Sequence, residues 1–243
     1  MARTLEPLRQ FFRDCRDAVT FRDLSAASAS YYETTHVVMA SYMHYPPVGA
    51  RDFDGQIRVG EFGYPEDWRE TYLKEQLHLC DPLARRAVNF TRPYFWSEAS
   101  QLPNLTPEES DYLQRVAAQN LGEGIGIPLF GPAGRNGYAA LGFGRRKIPS
   151  ADEVLELQAA SQMGHLVYCR LLLRELPDGT NLSAGEREIL RWVARGRTNS
   201  QIAEVLHLSR NTVETYIRRC FEKLDVNDRV SAALRGIALG MVD

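Results

Sequence analysis

The sequence predicts an α+β N-terminal domain, an α/β/α sandwich with an antiparallel sheet, followed by an all-α C-terminal domain of four helices. Three observations lead there. Apolar residues recur at helical spacing at both ends of the first 175 residues. Strand-like runs between them come in pairs joined by short Pro/Gly turns. After a break at Pro177, Asp178 and Gly179, only short, capped helices follow. At roughly 150 residues per domain, 243 residues allow two modest domains whose cores need no staples. The division is 1–175, a linker over 176–181, and 182–243.

The elements follow in order. Leu8, Phe11, Phe12, Cys15 and Val19, then Phe21, Leu24, Ala27 and Tyr31, predict two opening helices. His36 to Met43 and Gly55 to Phe62 read as paired strands around a Pro46, Pro47, Gly49 turn. Tyr64 to Leu79 has helical spacing. Asp81 before Pro82 then starts a helix, with an acceptor at the N-cap and proline at N1. Thr106, Pro107 and Glu109 repeat that logic with a capping box. Gly122 to Gly131 and Gly137 to Arg145 form a second predicted hairpin. Ser150 with Glu153 caps a long helix to about Glu175, whose stripe of Val154, Leu157, Ala160, Met163, Val167 and Leu171 can pack on the sheet and on a partner.

Composition narrows the function. The four cysteines form no Cys-x-x-Cys pair and read as reduced thiols. The N-terminus carries charges through its first turns, and nowhere do about 18 apolar residues run together. A cytoplasmic protein with no membrane contact is the expectation. The histidines show no metal-ligand spacing, no Gly-x-Ser-x-Gly elbow exists, and Pro128 follows Gly122, Gly124 and Gly126 where a nucleotide-binding helix would begin. The chain is therefore not expected to be an enzyme or to carry a metal or cofactor. A phosphorylation-controlled receiver fits poorly too, because its sheet would be parallel, whereas the strands here come in hairpins. Net charge is −2, yet from Leu182 onward ten basic residues face eight acidic ones, which permits a polyanion partner for the C-terminal domain.

In that domain, Ser183 with Glu186 opens a helix carrying Ile189, Leu190 and Val193, closed at Gly196. Thr198 with Gln201 opens a very short second helix. His207 and Leu208 turn the chain, and Ser209 caps a third helix running to about Leu224. Asn227 opens the fourth, with Leu234 and Ile237. A short helix, a tight turn and a longer arginine-bearing helix form a helix-turn-helix plan. The third helix turns Val213, Ile217 and Cys220 inward and presents Arg210, Asn211, Thr212, Thr215, Arg218 and Arg219 to a major groove, while the helix starts at Thr198 and Ser209 can donate N–H groups to phosphate. From Leu182 to Ala233 the sequence resembles the LuxR-type DNA-binding domain, with Glu186, Leu190 and Gly196 at its most characteristic positions. One departure is Glu214, an acid at a groove-facing position. It could read a cytosine amino group or pair with Arg218 one turn on.

Between Tyr64 and Trp96 lies the densest aromatic region, around Asp81. A carboxylate among aromatics needs hydrogen-bond donors, because burying it unpaired is very unfavourable. It is either a plain N-cap beside a core, or the acceptor of a mostly apolar pocket in which Trp N–H and Tyr O–H act as donors. The spacing resembles the acyl-homoserine-lactone-binding domain of quorum-sensing regulators, whose six hallmark positions are filled here as Trp68, Tyr72, Asp81, Pro82, Trp96 and Gly124. The resemblance implies an N-acyl-homoserine lactone as signal ligand. Trp68 would donate to the lactone carbonyl, Asp81 would accept from the amide N–H, and Tyr64 would donate to the amide carbonyl. Trp96 would pack on the ring and Tyr72 would line the chain. Ala140 and Gly126 stand where relatives carry hydroxyl residues, so Ser41 or Tyr42 on the first strand is expected to complete the polar lining. One four-helix module offers too little surface for tight specific binding, so promoter DNA is expected to be bound by a homodimer on a palindrome, with the long helix and the last helix, around Leu234 and Ile237, as candidate interfaces and RNA polymerase as a further partner. A LuxR-type regulator of a different small molecule is the alternative. A carboxylate saturated by its own chain, with no cavity beside it, would remove the sensor reading.

Overall fold

The computed structural model of the chain describes residues 4–52, 58–175 and 181–242. Two compact units emerge. One comprises Met1–Tyr45, Ile57–Gly131 and Asn136–Leu171, and the other Pro46–Gln56, Pro132–Arg135 and Leu172–Asp243.

The first unit is built on five antiparallel strands, β1 (Met39–Tyr45), β2 (Arg58–Phe62), β3 (Tyr94–Phe95), β4 (Glu123–Leu129) and β5 (Asn136–Gly144), in the order β2-β1-β5-β4-β3. Strand alternation sends successive residues to opposite faces. Ala40, Ile125, Ile127, Ala139, Leu141 and Phe143 enter one core with helices α1 (Glu6–Asp17), α2 (Phe21–Glu33) and α6 (Ala151–Glu175). Met39, Met43, Tyr138 and Ala140 enter smaller cores with α3 (Glu66–Lys74), α4 (Pro82–Arg86) and α5 (Pro107–Ala118). This is the α/β/α sandwich with an antiparallel sheet that the sequence predicts. The start signals hold as well: Thr106 with Glu109 forms a complete capping box, and Ser150 and Glu153 bond reciprocally; Thr20 with Asp23 forms a further capping box at α2 that the sequence reading does not single out. Two details differ. The first strand begins at Met39 instead of His36, and residues 55–57 of the predicted second strand lie outside the described residues. Strand β3 is not foreseen at all, being only two residues long.

The second unit carries α7 (Ala184–Ala194), α8 (Asn199–Leu206), α9 (Arg210–Leu224) and α10 (Arg229–Ala238) around Ile189, Leu190, Val193, Ile202, Val213, Ile217, Cys220, Leu224 and Ala232. Each helix opens on its own cap. For α10 this is Asp228, which accepts from the Val230 and Ser231 N–H groups at 2.9 Å each, and not the Asn227 expected from the sequence. An aspartate with both donors in reach outcompetes its neighbour. Also in this unit, Arg135 lies fully buried against Asp52 (Nε–Oδ2 2.8 Å) and donates to the Ala238 carbonyl at the end of α10. Of the predicted linker, residues 176–180 lie outside the described residues. Among the described residues no helix is long and apolar enough to cross a membrane.

Glu186 shows how the helical bundle is pinned. It is buried at the first turn of α7, accepts from the Ser183 N–H (2.7 Å) and is reached by Lys223 Nζ of α9 (2.7 Å). Burial pulls its carboxyl up, but Lys223 and Ser183 together hold it below the ordinary 4.5. A depressed carboxyl contributes stability that is complete above pH 4.5 and is lost as pH falls through its folded value. We expect Glu186→Ala to cost about 2 kcal/mol at pH 7. In denaturant melts of the full chain that difference should shrink as pH is lowered from 5 to 3, and a pH-independent difference would contradict this account.

Candidate ligand pocket and DNA-reading helix

The site grows out of a five-residue helix. Asp81 is the N-cap of α4, and its Oδ1 accepts from the N–H groups of Leu83 (2.9 Å) and Ala84 (3.3 Å). The carbonyls of those residues are bonded too, to Tyr94 Oη (2.7 Å) and Tyr45 Oη (3.0 Å) respectively. Oδ2 accepts from Tyr112 Oη at 3.0 Å and Tyr72 Oη at 3.3 Å. The carboxylate is 5% exposed, and its pKa is raised by burial against the lowering effect of these four donors.

A cavity of about 470 Å³ adjoins it, walled by Tyr64, Trp68, Tyr72, Trp96, Tyr112 and Tyr138, with Ser41 and Ala140 on the sheet floor and Glu61 and Arg69 also lining it. The carboxylate is thus satisfied by its own chain, and the cavity the sensor reading requires is nevertheless beside it. Trp68, Tyr72 and Tyr112 form a cluster with ring centroids 6.2 to 6.4 Å apart. Helix α5, which carries Tyr112, is clamped to α4 by Glu109. That buried carboxylate sits at the first turn of α5 and is gripped by Arg86, with Arg85 at 3.5 Å.

The hallmark glycine has a steric reason. A Cβ on Gly124 would fall 2.5 Å from the Trp96 indole, one on Gly126 2.4 Å from the Tyr94 ring, and one on Gly142 2.9 Å from Trp96. Bare backbone on this face of the sheet is what lets two large rings lie against it.

Of the residues the sequence singles out, Ser41, Tyr64, Trp68, Tyr72, Asp81 and Trp96 are brought together at the cavity, and Pro82 follows Asp81 as the first residue of α4. Tyr42 is not among them. On β1 it points to the opposite face, where its hydroxyl meets His165 Nδ1 of α6 at 2.8 Å, because Ser41 and Tyr42 are adjacent on a strand and cannot share a side. Ser41 stands directly across from Ala140 in the β1–β5 register and hydrogen-bonds Tyr64, so a hydroxyl does reach the position left bare by Ala140. Tyr112 and Tyr138 escape the sequence reading. The signal for Tyr112 was its place one turn after the Thr106–Glu109 capping box, on a helix that has to pack somewhere.

On α9, Arg210, Asn211, Arg218 and Arg219 are exposed, and Thr212 and Thr215 are half-buried. Ser209 caps the helix through the Thr212 N–H (3.0 Å), its hydroxyl meets that of Thr212 (2.8 Å), and Thr215 Oγ1 donates back to the Asn211 carbonyl (2.9 Å). Thr198 caps α8 in the same way. Glu214 does not pair with Arg218. It pairs with Arg210 one turn before it (3.1 Å), while Arg218 leans toward Glu222 at 3.9 Å. Both i−4 and i+4 partners are available on a helix surface, and Glu222 competes for Arg218. Glu186 and Leu190 are core residues of α7, and Gly196 ends it with φ 74°.

A ligand-sized cavity in an α/β/α domain, followed by a helix-turn-helix, defines a ligand-regulated transcription factor. Residues 24–168 match the autoinducer-binding domain and residues 180–235 match the LuxR-family bacterial regulatory proteins. The chain belongs to the LuxR family of quorum-sensing transcriptional regulators. It is 30% identical to the transcriptional activator TraR of Agrobacterium vitis over 72% of this chain and 76% of TraR. To the quorum-sensing-dependent regulator RpaR of Rhodopseudomonas palustris it is 29% identical over 74% and 73%. Escherichia coli SdiA in complex with octanoyl-rac-glycerol shares the fold at a TM-score of 0.73 and 22% identity, over 100% of this chain and 99% of that one.

Proposed function

We propose that this regulator binds an N-acyl-homoserine lactone in the cavity beside Asp81 and, as a homodimer, binds palindromic promoter DNA through α9. The observation that carries the lactone reading is one buried carboxylate set among indole and phenol donors at the wall of a mostly aromatic cavity, which suits an amphiphile with one amide. In this reading Asp81 accepts the amide N–H, Trp68 and Tyr64 donate to the two carbonyls, and Trp96 packs on the ring. Dimerisation is supported by apolar residues left exposed in single stripes: Leu155, Leu166 and Leu173 on α6, and Val230 and Ile237 on α10. Arg210, Asn211, Arg218 and Arg219, with the helix starts at Thr198 and Ser209, would meet the DNA. RNA polymerase is the further partner of an activating complex.

Ligand binding to the folded state alone raises apparent stability. Thermal melting with a series of acyl-homoserine lactones is therefore expected to raise Tm for at least one chain length, by roughly 2.7 kcal/mol of added stability at a hundredfold excess over Kd. No shift at any chain length would refute the lactone reading. A second reading is a non-lactone acyl ligand. A solved structure holds SdiA in complex with octanoyl-rac-glycerol, and at Ala140 the cavity wall carries no hydroxyl of its own, the Ser41 hydroxyl beside it being taken up with Tyr64. Including octanoyl-rac-glycerol in the same melts separates the two.

A further inference from the structure

Asp81 is fully supplied by its own chain. A carboxylate offers about four lone-pair positions, and four donors fill them: the Leu83 and Ala84 N–H groups at Oδ1, and the Tyr72 and Tyr112 hydroxyls at Oδ2. An N–H brought by a ligand is a fifth donor, so one of the four has to leave. The two backbone donors are the first turn of α4 and cannot leave while that helix persists. Tyr112 is 7% exposed, makes the shorter bond at 3.0 Å, and rides on a helix that Glu109 fastens to α4. Tyr72 is half-buried, bonds at 3.3 Å, and sits near the end of α3.

We infer that Tyr72 is a specificity-determining residue whose hydroxyl is exchanged for the ligand's N–H at Asp81 Oδ2, while Tyr112 is the fixed positioning residue that keeps that oxygen aimed at the cavity. The inference rests on the reading of Asp81 as the ligand's acceptor and adds a cost to it, because a ligand must outbid a phenol to use the carboxylate. A compound of the same shape without an N–H has nothing to offer in exchange and leaves the Tyr72–Asp81 bond in place. Two tyrosines on one oxygen therefore have different consequences on loss of their hydroxyls. Removing that of Tyr72 opens a position facing the ligand. Removing that of Tyr112, the more deeply buried ring with the shorter bond, takes away the donor that aims Oδ2 and leaves the buried charge a donor short.

The test uses the full chain with N-octanoyl-homoserine lactone and its ester analogue, in which oxygen replaces the amide N–H, titrated by calorimetry. Tyr72→Phe is expected to bind the amide about tenfold more tightly than the wild type, equivalent to about 1.4 kcal/mol, and to bind the ester within about twofold of the wild type. Tyr112→Phe should bind the amide no more tightly than the wild type. An amide affinity unchanged or weakened by Tyr72→Phe overturns the exchange. So does equal tightening of both compounds, which would report only a more apolar wall, and so does tightening by Tyr112→Phe. A Tyr72→Phe variant that binds the two compounds equally, or a wild type that binds neither, removes the Asp81 reading itself and the exchange with it. Should Tyr72→Phe not fold, wild-type protein labelled at tyrosine Cζ answers the same question. One tyrosine resonance is expected to move with the amide and stay with the ester, and the absence of any such difference overturns the proposal.

Discussion

Replacing Asp81 with alanine is expected to destabilise the N-terminal unit by about 3 kcal/mol and to abolish any lactone-induced rise in melting temperature. Two separate losses add. Helix α4 loses the cap that holds the Leu83 and Ala84 N–H groups, which typically costs about 1 kcal/mol. The Tyr72 and Tyr112 hydroxyls lose their common acceptor, and each unsatisfied buried hydroxyl costs about 1 kcal/mol or more. Asp81→Asn separates structure from recognition. Its Oδ1 can still cap the helix, and it relieves the burial that raises the carboxyl's pKa, so stability should stay close to that of the wild type. Its amide group, however, presents a donor where Oδ2 accepted, and a ligand N–H then meets another N–H. Near-normal melting with no response to lactone is the expected outcome. A full response from Asp81→Asn would show that the ligand's donor goes elsewhere.

Arg218→Ala should weaken operator binding by tenfold or more per half-site, and by about a hundredfold for a dimer, with lactone binding unchanged. One lost arginine contact to a base or phosphate is worth about 1 to 3 kcal/mol. The side chain is well exposed and only loosely held by Glu222, so little is given up in freeing it for DNA. Gel-shift titrations on a site enriched from random sequence, repeated at several salt concentrations, also distinguish its target. If Arg218 meets a phosphate, the salt slope falls by about one. If it reads a guanine, the slope is kept and one position of the selected site relaxes. Unaltered affinity on every sequence would remove Arg218 from the interface.

Much of this architecture could be read from the chain because its local signals agree with one another. Thr106, Ser150, Ser183, Thr198 and Ser209 each stand at the head of the helix they predict, since a side-chain acceptor near free N–H groups is a local matter. Strand β3 was not legible, because two residues cannot display a period; Tyr94 and Phe95 are in the sheet because Gly126 across from them leaves room. The pocket was legible where spacing is short, from Tyr64 to Trp96. It was not at Tyr112, which reaches Asp81 from 31 residues away by packing alone. Tyr42 is a different kind of miss: strand parity already forbade it from sharing a face with Ser41. The partner of Glu214 could not be decided from spacing, since arginines lie four residues to either side of it.

Strand β1 has no solvent side over its middle. Ser41 and Met43 belong to the wall of the cavity, and the residues between and after them, Tyr42 and His44, lie against His165 and Tyr168 of the longest helix. Floor and ceiling of the two compartments are therefore a single backbone thick. The peptide unit that joins Ser41 to Tyr42 thus has the cavity on one side and helix α6 on the other.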